Sequence, residues 1–187
     1  SYPALGGKQY LPSTADRETA AQQMALGGYS VSELDGYATD ANGQRLNLKL
    51  LVCTQGVGKR YTANLIREQL AAAGIAVEIE ETDSFEEYTR RVSAGDFDMY
   101  IGEVKLYNNM DMDVFFADGG DAHTGVSASE TLLAAYDAMK ADISGLAAFE
   151  AAFAAEMPFV PLVYKNGVAT YSKDFSGLSP TVSDIFY

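Results

Sequence analysis

At 187 residues, with 48% apolar and 21% charged side chains, the chain has the length and composition of one globular domain with its own core, which excludes wholesale disorder. Its 26 acidic and 13 basic residues leave a net charge of −13, and no stretch gathers Lys or Arg into a patch that would neutralise a phosphate backbone, so nucleic acid is not an expected partner. The single cysteine, Cys53, rules out an intrachain disulfide, and no run approaches the length of apolar sequence that spans a bilayer.

Ser1-Tyr-Pro-Ala-Leu-Gly-Gly7 has no initiator Met, basic region or apolar signal core, and reads as the start of a piece excised from a longer chain. Asp16 to Gly28 supplies an acidic first turn, helix formers and a glycine stop, which predicts a short helix. Residues 30–45 are polar and hold Asp35-Gly36 and Asn42-Gly43, two turn dipeptides, as expected of a loop or hairpin tip. The most regular part follows: a strand over Leu46–Cys53, a helix over Lys59–Ala73 with Ile66, Leu70 and Ala73 on one face, and a second strand over Gly74–Glu80. Strand, helix and strand in this order form a βαβ unit, which demands a parallel pair and a crossover.

Ser84-Phe-Glu-Glu87 fits a capping box, with Ser84 accepting from the third helical amide and Glu87 reaching back. Its helix should run to Ala94 and stop at Gly95, with a third parallel strand over Phe97–Val104. Lys105 to Gly125 reads as a long, partly helical loop carrying Asp111, Asp113, Phe115, Phe116 and Asp118. Helices are expected over Ser127–Asp142 and Ser144–Glu156, the second with Leu146, Phe149 and Phe153 on one stripe. Pro158–Tyr164 and Val168–Tyr171, around Asn166-Gly167, should pair as strands.

The chemistry-bearing motifs are few. Gly56-Val-Gly-Lys59 lies between a strand and a helix like a phosphate loop, but Cys53 and Arg60 occupy the positions where that motif needs Gly and Ser or Thr. The turn still offers backbone amides and Lys59 to an anionic ligand group. His123 has no partners for a metal site, and the aspartates around Phe115 lack the spacing and the final Glu of a calcium loop. With no nucleophile elbow and no poised acid pair, the pattern points to a binding module without a cofactor, not to an enzyme.

Four ordered stretches carry a resemblance: Asp16 to Tyr29; Leu46 to Ile79 with Ala63-Asn-Leu-Ile-Arg-Glu-Gln-Leu-Ala-Ala-Ala-Gly-Ile-Ala-Val77; Tyr88 to Met99 with Gly95-Asp-Phe-Asp98; and Glu156-Met-Pro-Phe-Val-Pro-Leu-Val-Tyr164. In this order they resemble the C-terminal lobe of the family 5 extracellular solute-binding proteins, the oligopeptide, dipeptide and nickel-type binding components of ABC importers. The resemblance implies an α/β, periplasmic-binding-protein-like lobe of type II, with a largely parallel sheet flanked by helices. It also implies that residues 1–187 form one ligand-binding lobe of a two-lobed protein, with 163–187 returning toward an N-terminal lobe.

Further implications of the resemblance are a peptide or other small polar solute as ligand, an ABC transporter permease as partner, and an extracellular or periplasmic location as a membrane-anchored lipoprotein. On the matching positions it implies that Thr54, Gln55, Lys59 and Arg60 belong to a segment that faces the cleft, with Lys59 and Arg60 the candidates to meet a ligand carboxylate. Asn108 stands where peptide binders carry an aspartate for the ligand's amino terminus, and Glu103 stands where a tryptophan is typical. Glu103 or Asp111 can supply the anion for a cationic ligand, and Tyr107 and Asn109 flank Asn108. Two other readings stay open at this point: a flavodoxin- or Rossmann-like enzyme using the 56–60 turn for a phosphate, and a sensor module of the same fold.

Overall fold

A computed structural model describes residues 16–56, 58–105 and 111–163. Asp16 caps helix α1 (Arg17–Leu26), its carboxylate accepting from the Thr19 amide at 2.9 Å. A small hairpin follows, with β1 (Ser30–Val31) antiparallel to β2 (Ala38–Thr39). Its tip is the first predicted turn, where Asp35 accepts from the Tyr37 amide, and the second follows β2, where Asp40 accepts from the amides of Asn42 and Gln44. The hairpin seats on the main sheet at Ala38, which is fully buried and donates to the Gly74 carbonyl at 2.7 Å. Gly74 has φ +88°, and a Cβ there would come 3.0 Å from the Gly36 carbonyl, so this close approach needs glycine.

The main sheet is parallel, in the order β4-β3-β5, with β3 (Asn47–Cys53) central, β4 (Ala76–Thr82) on one side and β5 (Met99–Tyr100) on the other. Leu50 pairs with both Ile79 and Met99, which fixes the register across all three strands. Because alternate side chains of a strand leave opposite faces, β3 feeds two cores. Leu50 and Val52 pack with Val77, Ile101 and Ala63 of helix α2 (Lys59–Ala71), joined by Ile66 and Leu70. Leu51 and Cys53 pack with Tyr88 and Val92 of helix α3 (Phe85–Ala94). The two crossover helices therefore cover opposite faces, and β3, buried on both, reads as the continuous apolar run Leu50-Leu-Val-Cys53.

Two local expectations change. Ser84 does cap α3, accepting from the Glu87 amide at 3.2 Å, but the return half of the box is not made. The Ser84 amide donates to Thr82 Oγ1, while the Glu87 carboxylate is taken by Arg90 at 2.6 and 2.7 Å. A guanidinium fork one turn on binds both carboxylate oxygens, which a single backbone amide cannot match. The third strand is far shorter than Phe97–Val104, because side chains occupy its ends: Asp98 accepts from the Lys49 amide at 2.7 Å, and the Tyr88 hydroxyl donates to the Ile101 carbonyl at 2.9 Å. The expected pairing of Pro158–Tyr164 with Val168–Tyr171 falls, past Val163, outside the described residues.

The rest of the described chain is helical: a single turn α4 (Asp113–Phe116), then α5 (Glu130–Ala141), a 3₁₀ turn over Ile143–Gly145 and α6 (Leu146–Glu156). Ser129 caps α5, and its hydroxyl is also held by Glu156 from the end of α6, so the two helices are tied where their chain ends meet. Phe116 lies 5.1 Å from the Tyr136 ring and 6.1 Å from Phe149, while Phe159 stacks on Phe115 at 4.2 Å. Leu146, Phe149 and Phe153, the predicted stripe, are all buried in this aromatic core. The link back to the sheet runs through Tyr100, whose hydroxyl donates to the Thr124 carbonyl at 3.0 Å.

Candidate functional site

The topology itself locates a crevice. The chain leaves β3 toward β4 on one side, then crosses back to β5 on the other, so the connections at the carboxyl ends of β3 and β5 diverge. In open α/β sheets such a reversal leaves a gap where ligands settle. Thr54, Gln55, Lys59 and Arg60 follow β3 directly, and Glu103 follows β5.

Within that edge the residues divide by what holds them. The Thr54 amide and hydroxyl both donate to the Thr82 carbonyl, at 2.8 and 3.2 Å, and Gln55 Nε2 donates to the Asp83 carbonyl at 2.6 Å. These two side chains stitch the exit of β3 to the exit of β4. Gly56 and Gly58, at φ +103° and +94°, then turn the chain into α2, which no described side chain caps. The positive end of the α2 dipole lies at this turn.

The two basic residues beyond the turn go opposite ways. Arg60 forks onto Glu81 at the end of β4, with contacts of 2.8, 2.9 and 3.0 Å, and the carboxylate hydrogen bonds raise the guanidinium pKa above its ordinary value. Lys59 crosses the gap, its ammonium 3.4 Å from Glu103, with the lysine side chain 18% and the glutamate 49% exposed. A contact of that length is an ion pair without the short geometry of a charge-assisted hydrogen bond. The residues expected separately as cation and anion for a ligand are thus each other's partners across the β3/β5 crevice.

Asp111 sits on the helical body. Its carboxylate accepts from the Asp113 amide at 2.9 Å and lies 3.3 Å from the Tyr136 hydroxyl, which itself accepts from the Met112 amide at 2.7 Å. Lys140 binds both oxygens of Asp113 at 2.7 and 2.8 Å, and with Tyr136 holds that carboxyl below its ordinary pKa. Tyr107, Asn108 and Asn109 lie outside the described residues.

Two residues at this edge escaped the sequence reading. Glu81 follows Glu80, and consecutive acids at a strand end place one on each face: Glu80 meets Arg91 of α3, and Glu81 meets Arg60 of α2. Their adjacency was the available signal. Tyr88 opens one of the stretches that carry the resemblance, but nothing in the sequence pointed to its hydroxyl, because a buried tyrosine on a helix reads as core; burial pushes its phenol well above the ordinary value, while the hydroxyl reaches the β5 exit. A separate polar depression of about 200 Å³, lined by Tyr29, Asp40, Gln44, Arg45, Leu46 and Asn47, lies at the amino end of β3. Its charges are already used, Asp40 by the hairpin amides and Arg45 by Asp35, so the carboxyl edge is the stronger candidate. Among the described residues no group of three or more His, Cys, Asp or Glu is placed to hold a metal ion.

The family described as bacterial extracellular solute-binding proteins, family 5 Middle, matches residues 2–123. NikZ from Campylobacter jejuni, solved in complex with Ni(L-His), aligns with a TM-score of 0.61 at 10% identity, over 78% of this chain and 31% of that one. The oligopeptide-binding protein AppA of Bacillus subtilis, in complex with a nonapeptide, aligns at 0.58 and 17% identity over 81% and 33%. A mannohexaose-bound periplasmic oligopeptide-binding protein of an ABC transporter from Thermotoga maritima aligns at 0.62 and 21% identity over 79% and 30%. The chain therefore spans about a third of the length of these structures, and the likeness shows a periplasmic-binding-protein fold of type II. No curated protein matches the chain in sequence.

Proposed function

The chain belongs to the bacterial extracellular solute-binding proteins of family 5, and from that premise we propose that it is one ligand-binding lobe of the solute-binding component of an ABC importer. It captures a peptide or a similar small polar solute between two lobes, delivers it to a membrane permease, and performs no reaction on it. The observation that carries this reading is the family match over residues 2–123, the segment that contains the carboxyl-edge crevice. The return toward an N-terminal lobe expected of residues 163–187 falls, past Val163, outside the described residues; the whole protein works outside the cytoplasmic membrane as an anchored lipoprotein.

The ligand-facing set is Thr54, Gln55, Lys59, Arg60 and Glu103 at the crevice, with Tyr107, Asn108, Asn109 and Asp111 as further candidates. Arg60 is the weakest member, because its fork on Glu81 leaves little of its donor geometry for a solute. The binding of a solute by one lobe alone is expected to be weak, since closure of the second supplies the rest of the enclosure.

A thermal-shift screen of the full-length protein with di- to pentapeptides, amino acids and metal chelates tests the reading. Ligand that binds the native state raises the melting temperature by mass action, so weak binders register at high concentration. A rise with members of these classes is expected. Stabilisation by nucleotides or flavins alone would overturn it in favour of an enzyme using the 56–60 turn.

A further inference from the structure

The exit of β5 is gripped from both sides of the sheet. Ile101, 7% exposed, buries its side chain on the α2 face among Leu50, Val52, Ala63 and Val77, and its amide donates to the Leu51 carbonyl at 3.2 Å. Its carbonyl is taken from the α3 side by the Tyr88 hydroxyl at 2.9 Å. The paired residues of β3 and β5 end at Leu51 and Tyr100, so the Tyr88 bond continues the fixing of the backbone past the last pair. Gly102 follows, where a Cβ would come 3.1 Å from the Tyr100 ring, and then Glu103, which faces Lys59 across the crevice.

We propose that Tyr88 is a positioning residue for this crevice: its hydroxyl fixes the direction in which the chain leaves β5, and so places the Glu103 carboxylate opposite Lys59. The bond is buried, with Tyr88 only 8% exposed, so water does not replace it cheaply. The ring is held independently, stacked on Phe85 at 6.1 Å and edge-on to Tyr100 at 6.4 Å, so loss of the hydroxyl leaves the packing in place. Without that anchor, the Ile101 carbonyl loses its buried donor and the segment from Gly102 onward relaxes. The 3.4 Å ion pair, long already, is what such relaxation breaks first. This inference deepens the functional reading, because it matters for solute capture only where the crevice is the solute site.

Carbon-13 methylation of the lysines of the full chain, which keeps their charge, lets NMR follow Lys59, assigned through Lys59→Arg. Glu103→Gln should move the Lys59 methyl resonance toward those of exposed lysines, and Tyr88→Phe should move it a comparable distance in the same direction. Replacing Tyr88 by 4-aminophenylalanine, which keeps a donor at the ring tip, should restore the original position. Tyr100→Phe, which removes a half-buried hydroxyl from the Thr124 carbonyl, should leave it unmoved. The proposal fails if Glu103→Gln or Tyr88→Phe leaves Lys59 unchanged, or if Tyr100→Phe shifts it as much, which would mark a general loosening. A displaced Lys59 resonance with unaltered peptide-dependent melting of the full-length protein upholds the positioning role and removes the crevice from the solute site instead.

Discussion

The parallel sheet with its two helices and the α4–α6 helical body bury comparable side chains in opposite ways. In the sheet, one strand supplies both cores, because Leu50 and Val52 face α2 while Leu51 and Cys53 face α3. In the helical body there is one core, and it is aromatic: Phe115, Phe116, Tyr136, Phe149 and Phe153, closed by Phe159. The carboxyl edge of the sheet is formed by loops fixed by polar stitches such as Thr54 on Thr82, whereas the helical body is fixed by large rings and a charged knot at Asp113. A strand core of this kind is set by backbone register, and a ring core by shape.

The largest expected effects test whether these cores are separate. Phe149→Ala should cost about 3–5 kcal/mol and Leu51→Ala about 2–5 kcal/mol in urea denaturation of the chain. Hydrogen exchange then separates them: Phe149→Ala should strip protection from α5 and α6 first and leave β3, and Leu51→Ala should do the reverse. Equal loss of protection in both regions after either substitution would show a single cooperative unit.

A smaller pair sharpens the contrast between shape and register. Gly120 follows α4, and a Cβ there would meet the Val114 carbonyl oxygen at 2.5 Å and that of Asp113 at 2.6 Å, so Gly120→Ala should cost about 1–3 kcal/mol by forcing the α4 turn open. Ser84→Ala removes the cap of α3 without any clash and should cost about 1 kcal/mol. A larger loss at Ser84 than at Gly120, read from urea midpoints, would mean that the helical body yields more readily than its packing implies.

Acid gives the smallest effect. Asp113 has a folded-state pKa below its ordinary 3.8, held there first by Lys140 and then by Tyr136. Its contribution is therefore fully present above that ordinary value and is lost as pH falls through the lower, folded value. Asp113→Asn should lower the melting temperature slightly at neutral pH and not at all once both forms are protonated. High salt should shrink the difference, because the Asp113 and Lys140 side chains are 45% and 39% exposed. A difference that grows on acidification would reverse the sign assigned to the knot.

The α/β order was legible because local signals and tertiary packing agree there. Leu46-Asn-Leu-Lys-Leu-Leu-Val-Cys53 alternates at its amino end and turns wholly apolar where both faces are covered, and Gly95, at φ +69°, ends α3 where glycine was expected to. The stripe of α6 was legible for the same reason, since Leu146, Phe149 and Phe153 recur at helical spacing. The short β5 was not, because nothing in Phe97–Val104 tells that Asp98 and a tyrosine thirteen residues upstream of Ile101 will occupy the strand's ends.

The candidate site divides the same way. Sequence placed Thr54, Gln55, Lys59 and Arg60 after a strand, and so at the carboxyl edge of the sheet, but it kept Glu103 inside the third strand, and only the early end of β5 puts it past the strand at that edge. Only the tertiary structure decided which charges face which. Strand order put Lys59 beside Glu103 and Arg60 beside Glu81, joining residues 44 and 21 positions apart in the chain. Helical and strand periodicities are properties of neighbours in sequence, but a Coulomb partner is chosen by distance in space, and that distance exists only once the crossovers have folded the strands side by side.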